Sequence, residues 1–295
     1  MVSKETLQFF FKLLHQESGL ILDESKAYLI KSRLEPLASE EGFDSLDALR
    51  RGVMGKANTL LRKKIADAMT TNETSFFRDM FPFTIVRETV IPHLLGVNQG
   101  TKKIRVWSAA CSTGQEPYSL AMLFREMGSI LDGWDIRILA TDISETALKK
   151  AESGIYKPHE VQRGLSKHQL QRHFTQDGQT WRINPELRRL IRFRRLNLLS
   201  SIALVGQVDV VFCRNILIYF DLKTKQDVID RMTDLLSPDG ALFLGGSESL
   251  LGLKTSLVRV DGKRGGFYQQ RGPMQHEEKK KVDGKKRFWV CRIST

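Results

Sequence analysis

Apolar and polar positions alternate with the period of a helix through the first seventy residues. The apolar side chains recur every three or four positions, as on the buried face of an amphipathic helix. Gly19, Gly42 and Gly52 interrupt the pattern where helices would end, and Asn58 suits an N-cap. The chain is therefore predicted to begin with an all-helical domain over residues 1–71. The apolar positions are Leu7, Phe10, Phe11, Leu14, Leu29, Leu34, Leu37, Leu46, Leu49, Leu60, Leu61, Ile65 and Met69.

After Gly100 the pattern changes to short β-rich runs that alternate with helical segments. This alternation is typical of an α/β fold, in which crossover helices join the strands of a parallel sheet. A Pro/Gly turn at 237–240 is predicted to separate the last helix from the strand that follows. The predicted strands are 104–110, 136–141, 191–196, 208–213 and 241–244, with a terminal hairpin of 257–260 and 266–269, and the predicted helices are 116–127, 145–152 and 224–236.

Three stretches lie outside this alternation. Residues 72–100 are predicted to be a linker and a connecting helix, because Pro82 suits the first turn of a helix. Residues 156–190 are polar and basic, and Asp177-Gly178 suits a hairpin turn, which predicts a small inserted β-subdomain. Residues 271–295 carry too few apolar side chains to pack, and we predict a disordered basic tail.

The net charge of +12 is concentrated in two of these stretches. Residues 153–196 contribute +7 and residues 271–295 contribute +5, whereas the rest of the chain is nearly balanced. A nucleic-acid-binding protein commonly spreads its basic residues over one face or along one helix. The confinement of the excess to the insertion and the tail argues against a nucleic-acid partner.

Other sequence features narrow the class of protein further. No run of about 18 apolar residues is present to span a membrane, and no signal-peptide pattern is seen. The three cysteines are far apart in sequence, and the six histidines form no ligand motif, so neither a disulfide framework nor a metal site is expected. We expect a cytoplasmic protein without membrane insertion and without a metal.

A loop of small residues, 110–114, follows the first predicted strand and opens a helix. Backbone at this position of an open α/β sheet can approach a ligand closely, although any strand-to-helix turn can use small residues. Asp142 ends the next strand, where a carboxylate can hold a ribose diol or simply cap the following helix. Glu116 beside the loop would repel a pyrophosphate and attract a cation. Together these residues favour S-adenosylmethionine over NAD.

Two further segments carry polar and aromatic residues toward the same region. The strand 208–213 runs into 214–220, which lacks the Asn/Asp-Pro-Pro-Tyr/Phe motif of many amino-group methyltransferases, and this absence argues against methylation of bases. Tyr219 in this segment is a candidate site residue or an aromatic core anchor. Residues 71–79 combine polar donors, two phenylalanines and Arg78, and their default interpretation is a solvated connecting loop.

Read jointly, these motifs strongly resemble the chemotaxis receptor methyltransferase family (CheR), which are protein-glutamate O-methyltransferases that use S-adenosylmethionine. The resemblance covers residues 1–270. It implies a helical N-terminal domain and a Rossmann-like methyltransferase domain, 101–270, with a small antiparallel β-subdomain inserted in it. The motifs, in order, are NETSFFR at 72–78, WSAACSTGQEPYS at 107–119, ATDIS at 140–144, FCRNILIYF at 212–220 and LSPDG at 236–240.

The resemblance also implies roles for individual residues. Glu116 would contact the methionine amino group of the cofactor and Asp142 its ribose, while Arg78 and Tyr219 would orient the substrate carboxylate. Gln115 stands where many relatives have a second Glu, and the short hairpin tip at 177–178 leaves open whether a receptor's C-terminal peptide docks there. The remaining cofactor-binding residues implied are Asn72, Thr74, Arg78, Asn197, Leu198, Arg214 and Asn215.

The implied partners are the cytoplasmic domains of methyl-accepting chemoreceptors, with S-adenosylhomocysteine as by-product. A glutamate side chain, with a pKa of about 4.3, is already ionised at neutral pH and needs no general base before it attacks a methyl group. Two alternatives remain at this point: a nucleic-acid methyltransferase, and a module that binds S-adenosylmethionine without turnover.

Overall fold

A computed structural model of the chain describes residues 2–54, 58–262 and 265–271. The first part is a four-helix unit whose apolar faces meet in one core, as the helical spacing predicts. Its most deeply buried side chains include Phe10, Leu14, Ile30, Leu34 and Leu49. The helices are α1 (Lys4–Ser18), α2 (Ala27–Glu40), α3 (Leu46–Met54) and α4 (Thr59–Met69).

The helix ends follow local capping chemistry. The Ser3 hydroxyl accepts a hydrogen bond from the Thr6 N–H and begins α1, and the Asn58 side chain accepts from the Leu61 N–H and begins α4. Gly19 ends α1 in the left-handed conformation, with φ of 74°, which a residue without a Cβ adopts at no steric cost. The predicted stop at Gly19 and the predicted cap at Asn58 are therefore confirmed.

The second part is built on a seven-stranded sheet, which confirms the predicted α/β class. Five strands are parallel, in the order β6-β2-β1-β7-β8, and β10 and β9 extend the sheet as an antiparallel hairpin. Every residue of β7 is buried, as expected for a central parallel strand that is covered on both faces. The strands are β1 (Lys103–Ala109), β2 (Asp135–Asp142), β6 (Ile191–Arg195), β7 (Val208–Cys213), β8 (Leu236–Leu244), β9 (Leu257–Asp261) and β10 (Gly266–Gln270).

Helices connect and cover these strands. Two short helices, α5 and α6, are joined by a π-helical turn, Val86–Val90, and precede β1. None of the helices among the described residues is long and apolar enough to cross a membrane. The helices are α5 (Phe81–Ile85), α6 (Ile91–Val97), α7 (Gln115–Glu126), α8 (Glu145–Ser153) and α12 (Leu222–Leu235).

The predicted insertion is a separate three-stranded antiparallel sheet between α8 and β6, with strand order β3-β5-β4. The hairpin is present, as predicted, but its turn is formed by Gly178 and Gln179, one residue later than expected, because Asp177 still pairs with Thr180. The elements are β3 (Ile155–Tyr156), α9 (Pro158–Gln162), α10 (Lys167–His173), β4 (Phe174–Asp177), β5 (Thr180–Ile183) and α11 (Pro185–Arg188).

Two local predictions are wrong. Gly52, expected at the end of a helix, lies inside α3, where a Cβ would stand 2.6 Å from the Phe43 ring. Residues 237–240, expected to be a turn, lie inside strand β8, which starts directly after α12. Val208 of β7 pairs with Leu236 and Val210 pairs with Ala241, so the intervening residues are accommodated as an irregularity of the strand. Tertiary pairing on both sides of the Pro/Gly sequence therefore overrides its turn preference. The predicted disordered tail from residue 272 lies outside the described residues.

Candidate active site

An open cleft lies at the carboxyl ends of β1, β2, β6 and β7. Its volume is about 1060 Å³ when the open solvent space at its mouth is included. This edge is the usual ligand position in an open α/β sheet. Residues of α1 and α4, including Ser18 and Met69, form part of its wall. The structure brings all ten predicted site residues to this cleft. They are Asn72, Thr74, Arg78, Glu116, Asp142, Asn197, Leu198, Arg214, Asn215 and Tyr219.

The loop after β1 bends sharply into α7. Ala110, Ser112 and Gly114 all have positive φ, of 58°, 51° and 94°. A Cβ on Gly114 would stand 2.8 Å from the Cβ of Ala151 and 3.0 Å from the Tyr156 hydroxyl oxygen. Glycine is therefore needed at position 114, so that the loop can pack against α8 and the inserted subdomain.

Asp142 ends β2 at the floor of the cleft and is only 6% exposed. Its Oδ2 accepts a hydrogen bond from the Ser112 N–H at 2.7 Å, and its Oδ1 accepts from the Ser144 N–H at 2.9 Å. Burial raises the pKa of this carboxyl, and the two backbone donors oppose that shift. The N-cap of α8 is Ser144, whose hydroxyl accepts from the Ala147 N–H. Asp142 thus supports the loop but is not itself the cap residue, and its oxygens retain lone pairs for a ligand.

Glu116 is not a free charge, contrary to the electrostatic argument from the sequence. Its Oε1 accepts from the Ser108 hydroxyl at 2.8 Å, and its Oε2 lies 3.0 Å from Nη1 of Arg214. Nη2 of Arg214 donates to the Arg78 carbonyl at 2.9 Å and to Oδ2 of Asp79 at 2.7 Å. Burial raises the pKa of Glu116, and Arg214 acts against that shift. With all three side chains ionised, the Glu116–Arg214–Asp79 cluster carries one net negative charge.

The segment 71–79 is not a solvated loop. Phe76 and Phe77 are buried, and the Phe77 N–H donates to the Ser119 hydroxyl at 2.9 Å. Phe77 and Asp79 have φ of 46° and 64°, so the segment is held in a tight, unusual path. Arg78 projects from this path into the cleft lining, and its Nη1 donates to the Glu73 carbonyl at 3.2 Å.

The inserted subdomain packs directly against this segment. The Phe76 ring meets the rings of Tyr156 and Phe174 edge to face, at centroid distances of 5.1 and 5.5 Å. The Tyr156 hydroxyl donates to the Thr113 carbonyl at 2.8 Å, in the loop after β1. Arg163 lies 3.0 Å from the Glu73 carboxylate. The subdomain therefore contacts both the loop and the Arg78 segment.

The other side of the cleft is tied to the helical domain. The Asn197 side chain donates to the Glu17 carbonyl at 2.6 Å and accepts from the Leu199 N–H at 3.0 Å. The Tyr219 carbonyl accepts from the Ile21 N–H at 3.1 Å. Tyr219 lines the cleft and also packs against the core beneath β7 and β8, so its two proposed roles are compatible.

Several site residues escaped the sequence analysis. The Ser112 N–H donates a hydrogen bond to Asp142, and the Asp79 carboxylate accepts one from Arg214. Glu248 accepts a hydrogen bond from the Asn215 N–H in the segment after β7. For Glu248 the sequence carried a signal, a Gly-Gly-Ser-Glu run after a predicted strand, which can mark a strand end at the same sheet edge. Within the described residues, no group of three or more His, Cys, Asp or Glu is arranged to hold a metal ion.

Cys213 ends β7, where it pairs with Ala109 of β1, and Cys111 lies in the loop just after β1, in the lining of the cleft. Both are free and buried, and burial raises the pKa of each thiol well above its usual value. A thiol held in its protonated form is a poor nucleophile. Both cysteines therefore have the environment of unreactive core side chains.

Comparison with known proteins identifies the family. The CheR methyltransferase all-alpha domain matches residues 5–70, and the CheR methyltransferase SAM binding domain matches residues 72–265. Chemotaxis protein methyltransferase Cher2 of Pseudomonas putida is 42% identical over 266 residues, which cover 88% of this chain and 96% of that protein. Chemotaxis protein methyltransferase 1 of Pseudomonas aeruginosa is 41% identical over 268 residues, 89% of this chain and 96% of that protein. The resemblance seen in the motifs is confirmed, and the chain belongs to the CheR methyltransferase family.

Proposed function

We propose that this protein transfers the methyl group of S-adenosylmethionine to glutamate side chains in the cytoplasmic helices of chemoreceptors. The products are a glutamate methyl ester and S-adenosylhomocysteine, and the reaction serves sensory adaptation in the cytoplasm. Relatives named chemotaxis protein methyltransferase support this function. The observation that carries it is the single cleft in which Asp142, the Glu116–Arg214 pair and Arg78 meet at the carboxyl edge of the sheet.

The side chains in this cleft suit S-adenosylmethionine. Asp142 is placed at the strand end from which a carboxylate can accept hydrogen bonds from both ribose hydroxyls. The Glu116 and Asp79 carboxylates suit the ammonium group of the cofactor, and Arg214 and Arg78 balance their charge. Asn197 and Leu198 would border the adenine, and the remaining contacts are assigned to Asn72, Thr74, Arg78, Arg214 and Asn215.

The protein's share of the chemistry is positioning and exclusion of water. S-adenosylmethionine supplies a methyl carbon bonded to a positively charged sulfur, and the glutamate carboxylate of the receptor is ionised at neutral pH. Arg78 and Tyr219 would orient that carboxylate for in-line attack. Correct orientation of two reactants can contribute about 7–11 kcal/mol toward lowering the barrier. The helical domain and the 71–79 segment, which cover the cleft, would keep water away from the reacting charges.

The function is tested with a tritium-labelled methyl donor and receptor cytoplasmic fragments. Methyl esters release volatile methanol in alkali, whereas methylamines do not. We expect base-labile label on the fragments and, at a donor concentration well below the wild-type Kd, at least about tenfold slower labelling by the Asp142→Ala variant. Base-stable label, or label that disappears after nuclease treatment, would contradict the proposal.

Asp142→Ala is expected to weaken S-adenosylhomocysteine binding at least tenfold, about 1.4 kcal/mol. The change removes the carboxylate proposed to hold the ribose and also the acceptor of the Ser112 and Ser144 amides. Titration calorimetry measures the affinity, with Asp132→Ala, an exposed aspartate outside the cleft, as the control. Unchanged affinity would remove Asp142 from the cofactor site.

Arg78→Ala is expected to reduce methyl transfer more than it reduces cofactor affinity. The Arg78 guanidinium is partly exposed at the cleft, where it can meet both the cofactor and an incoming carboxylate. Steady-state kinetics with receptor fragments and calorimetry with S-adenosylhomocysteine separate the two effects. If both quantities fall by the same factor, Arg78 is a cofactor ligand only.

A further inference from the structure

Glu248 lies in the loop after β8, and its carboxylate collects three backbone N–H groups. Oε2 accepts from the Asn215 N–H and from the Gly245 N–H, each at 2.7 Å. Oε1 accepts from the Ile218 N–H at 3.2 Å. One side chain thereby joins the ends of β7 and β8, two neighbouring strands that both stop at the cleft edge.

The segment that Glu248 holds is unusual in shape. Asn215 has a φ of 58°, in the left-handed region, which asparagine adopts more readily than most residues with a Cβ. Gly245, beside the Glu248 carboxylate, has no space for a side chain. A Cβ there would stand 2.7 Å from Oε2 of Glu248 and 2.9 Å from the backbone nitrogen of Asn215. Residue 245 must therefore be glycine, and the three N–H groups around it require a hydrogen-bond acceptor at this point.

Only the residues at the two ends of this segment have been assigned to the reaction. Asn215 and Tyr219 line the cleft, whereas Glu248, itself a described residue, stands behind them and does not line it. The other end of the segment is fixed separately, since the Tyr219 carbonyl accepts from Ile21 of the helical domain. Without Glu248, the Asn215 and Ile218 amides would lose their acceptor and the segment would be anchored at one end.

We propose that Glu248 is a positioning residue for methyl transfer, which sets the path of residues 215–219 and so places Tyr219 against the acceptor carboxylate. The inference rests on the proposed function, in which Tyr219 orients that carboxylate. Glu248 acts through the backbone of Asn215 and Ile218 and does not contact cofactor or substrate. Of the proposed cofactor ligands, Asp142 ends β2 and Glu116 lies in the first turn of α7, so neither is held by Glu248, whereas the backbone of Asn215 is.

The test compares Glu248→Gln with the wild type. An amide has one acceptor oxygen and one donor nitrogen, so at least one of the three N–H groups loses its partner while the side-chain volume is kept. We expect kcat on receptor fragments to fall at least about tenfold, and S-adenosylhomocysteine affinity, to which Asn215 contributes, to fall by a clearly smaller factor. Ser249→Ala, an exposed change in the same loop, is the control and should leave both quantities unchanged.

Amide hydrogen exchange supplies a readout that does not depend on activity. Exchange at Asn215, at Ile218 or at both is expected to be at least about tenfold faster in Glu248→Gln, according to which of them loses its acceptor, with exchange in the sheet unaltered. If that variant fails to fold, Glu248→Asp, which keeps the charge but shortens the reach, is measured in the same way.

The outcomes distinguish this inference from the proposed function. Wild-type exchange rates or wild-type kcat in the variant would overturn the role of Glu248, as would a loss of cofactor affinity equal to the loss of kcat. A wild-type protein that methylates an acceptor other than glutamate would contradict the proposed function instead, and the ratio of variant to wild-type kcat on that acceptor would still decide the role of Glu248.

Discussion

Replacing Arg214 by alanine is expected to lower the free energy of unfolding by about 3–5 kcal/mol, because the change leaves a buried carboxylate without its counter-charge. The Arg214 side chain is 2% exposed and that of its partner Glu116 is 12% exposed. The loss extends beyond one ion pair, since Arg214 also bonds Asp79 and the Arg78 carbonyl. Urea unfolding followed by circular dichroism measures the effect.

A control variant and a double variant test whether the unpaired charge of Glu116 causes this loss of stability. Arg194→Ala, which removes an exposed arginine from β6, is the control and should change the free energy of unfolding by no more than about 0.5 kcal/mol. Adding Glu116→Gln to Arg214→Ala should restore part of the lost stability, because the unpaired charge is then gone. An equally destabilised double variant would show that lost packing, and not the buried charge, dominates.

Gly164→Ala is expected to reduce kcat/KM on receptor fragments about a hundredfold, because a displacement of about 1 Å near reacting groups has that consequence. Gly164 lies in the inserted subdomain with φ of 100°, and a Cβ there would stand 1.9 Å from the Phe76 carbonyl oxygen. That oxygen belongs to the backbone two residues before Arg78, so the clash must push the Arg78 segment away from the subdomain. The same change should also cost about 1–3 kcal/mol of stability through backbone strain.

The inserted subdomain provides its own matched control. Gly178→Ala, at the hairpin turn, also places a Cβ on a glycine of positive φ, 58°, but no atom lies within 4 Å of it. It should therefore lower stability without a comparable loss of kcat/KM. Steady-state kinetics and thermal unfolding of both variants separate strain from displacement. Equal kinetic losses in the two variants would show that the contact with Phe76 does not position the site.

The sequence predicted the elements of the fold because their signals are local. Helical spacing in the first seventy residues and β-rich runs after Gly100 depend on which side chains must be buried within one element. The end of a parallel strand is also a local feature, so Asp142 could be placed at the ligand edge without coordinates. Five motifs in order then supplied the family and, through it, the ten residues that the structure gathers in one cleft.

Contacts between distant residues were decided only by the tertiary structure. Arg214 neutralises Glu116 from 98 residues away, so an acid expected to be free is paired. Phe76 and Phe77 look like loop residues until the inserted subdomain and α7 bury them, and residues 237–240 look like a turn until β7 pairs on either side of them. Periodicity and turn preference report one segment at a time, whereas burial, charge pairing and strand register depend on which segments meet.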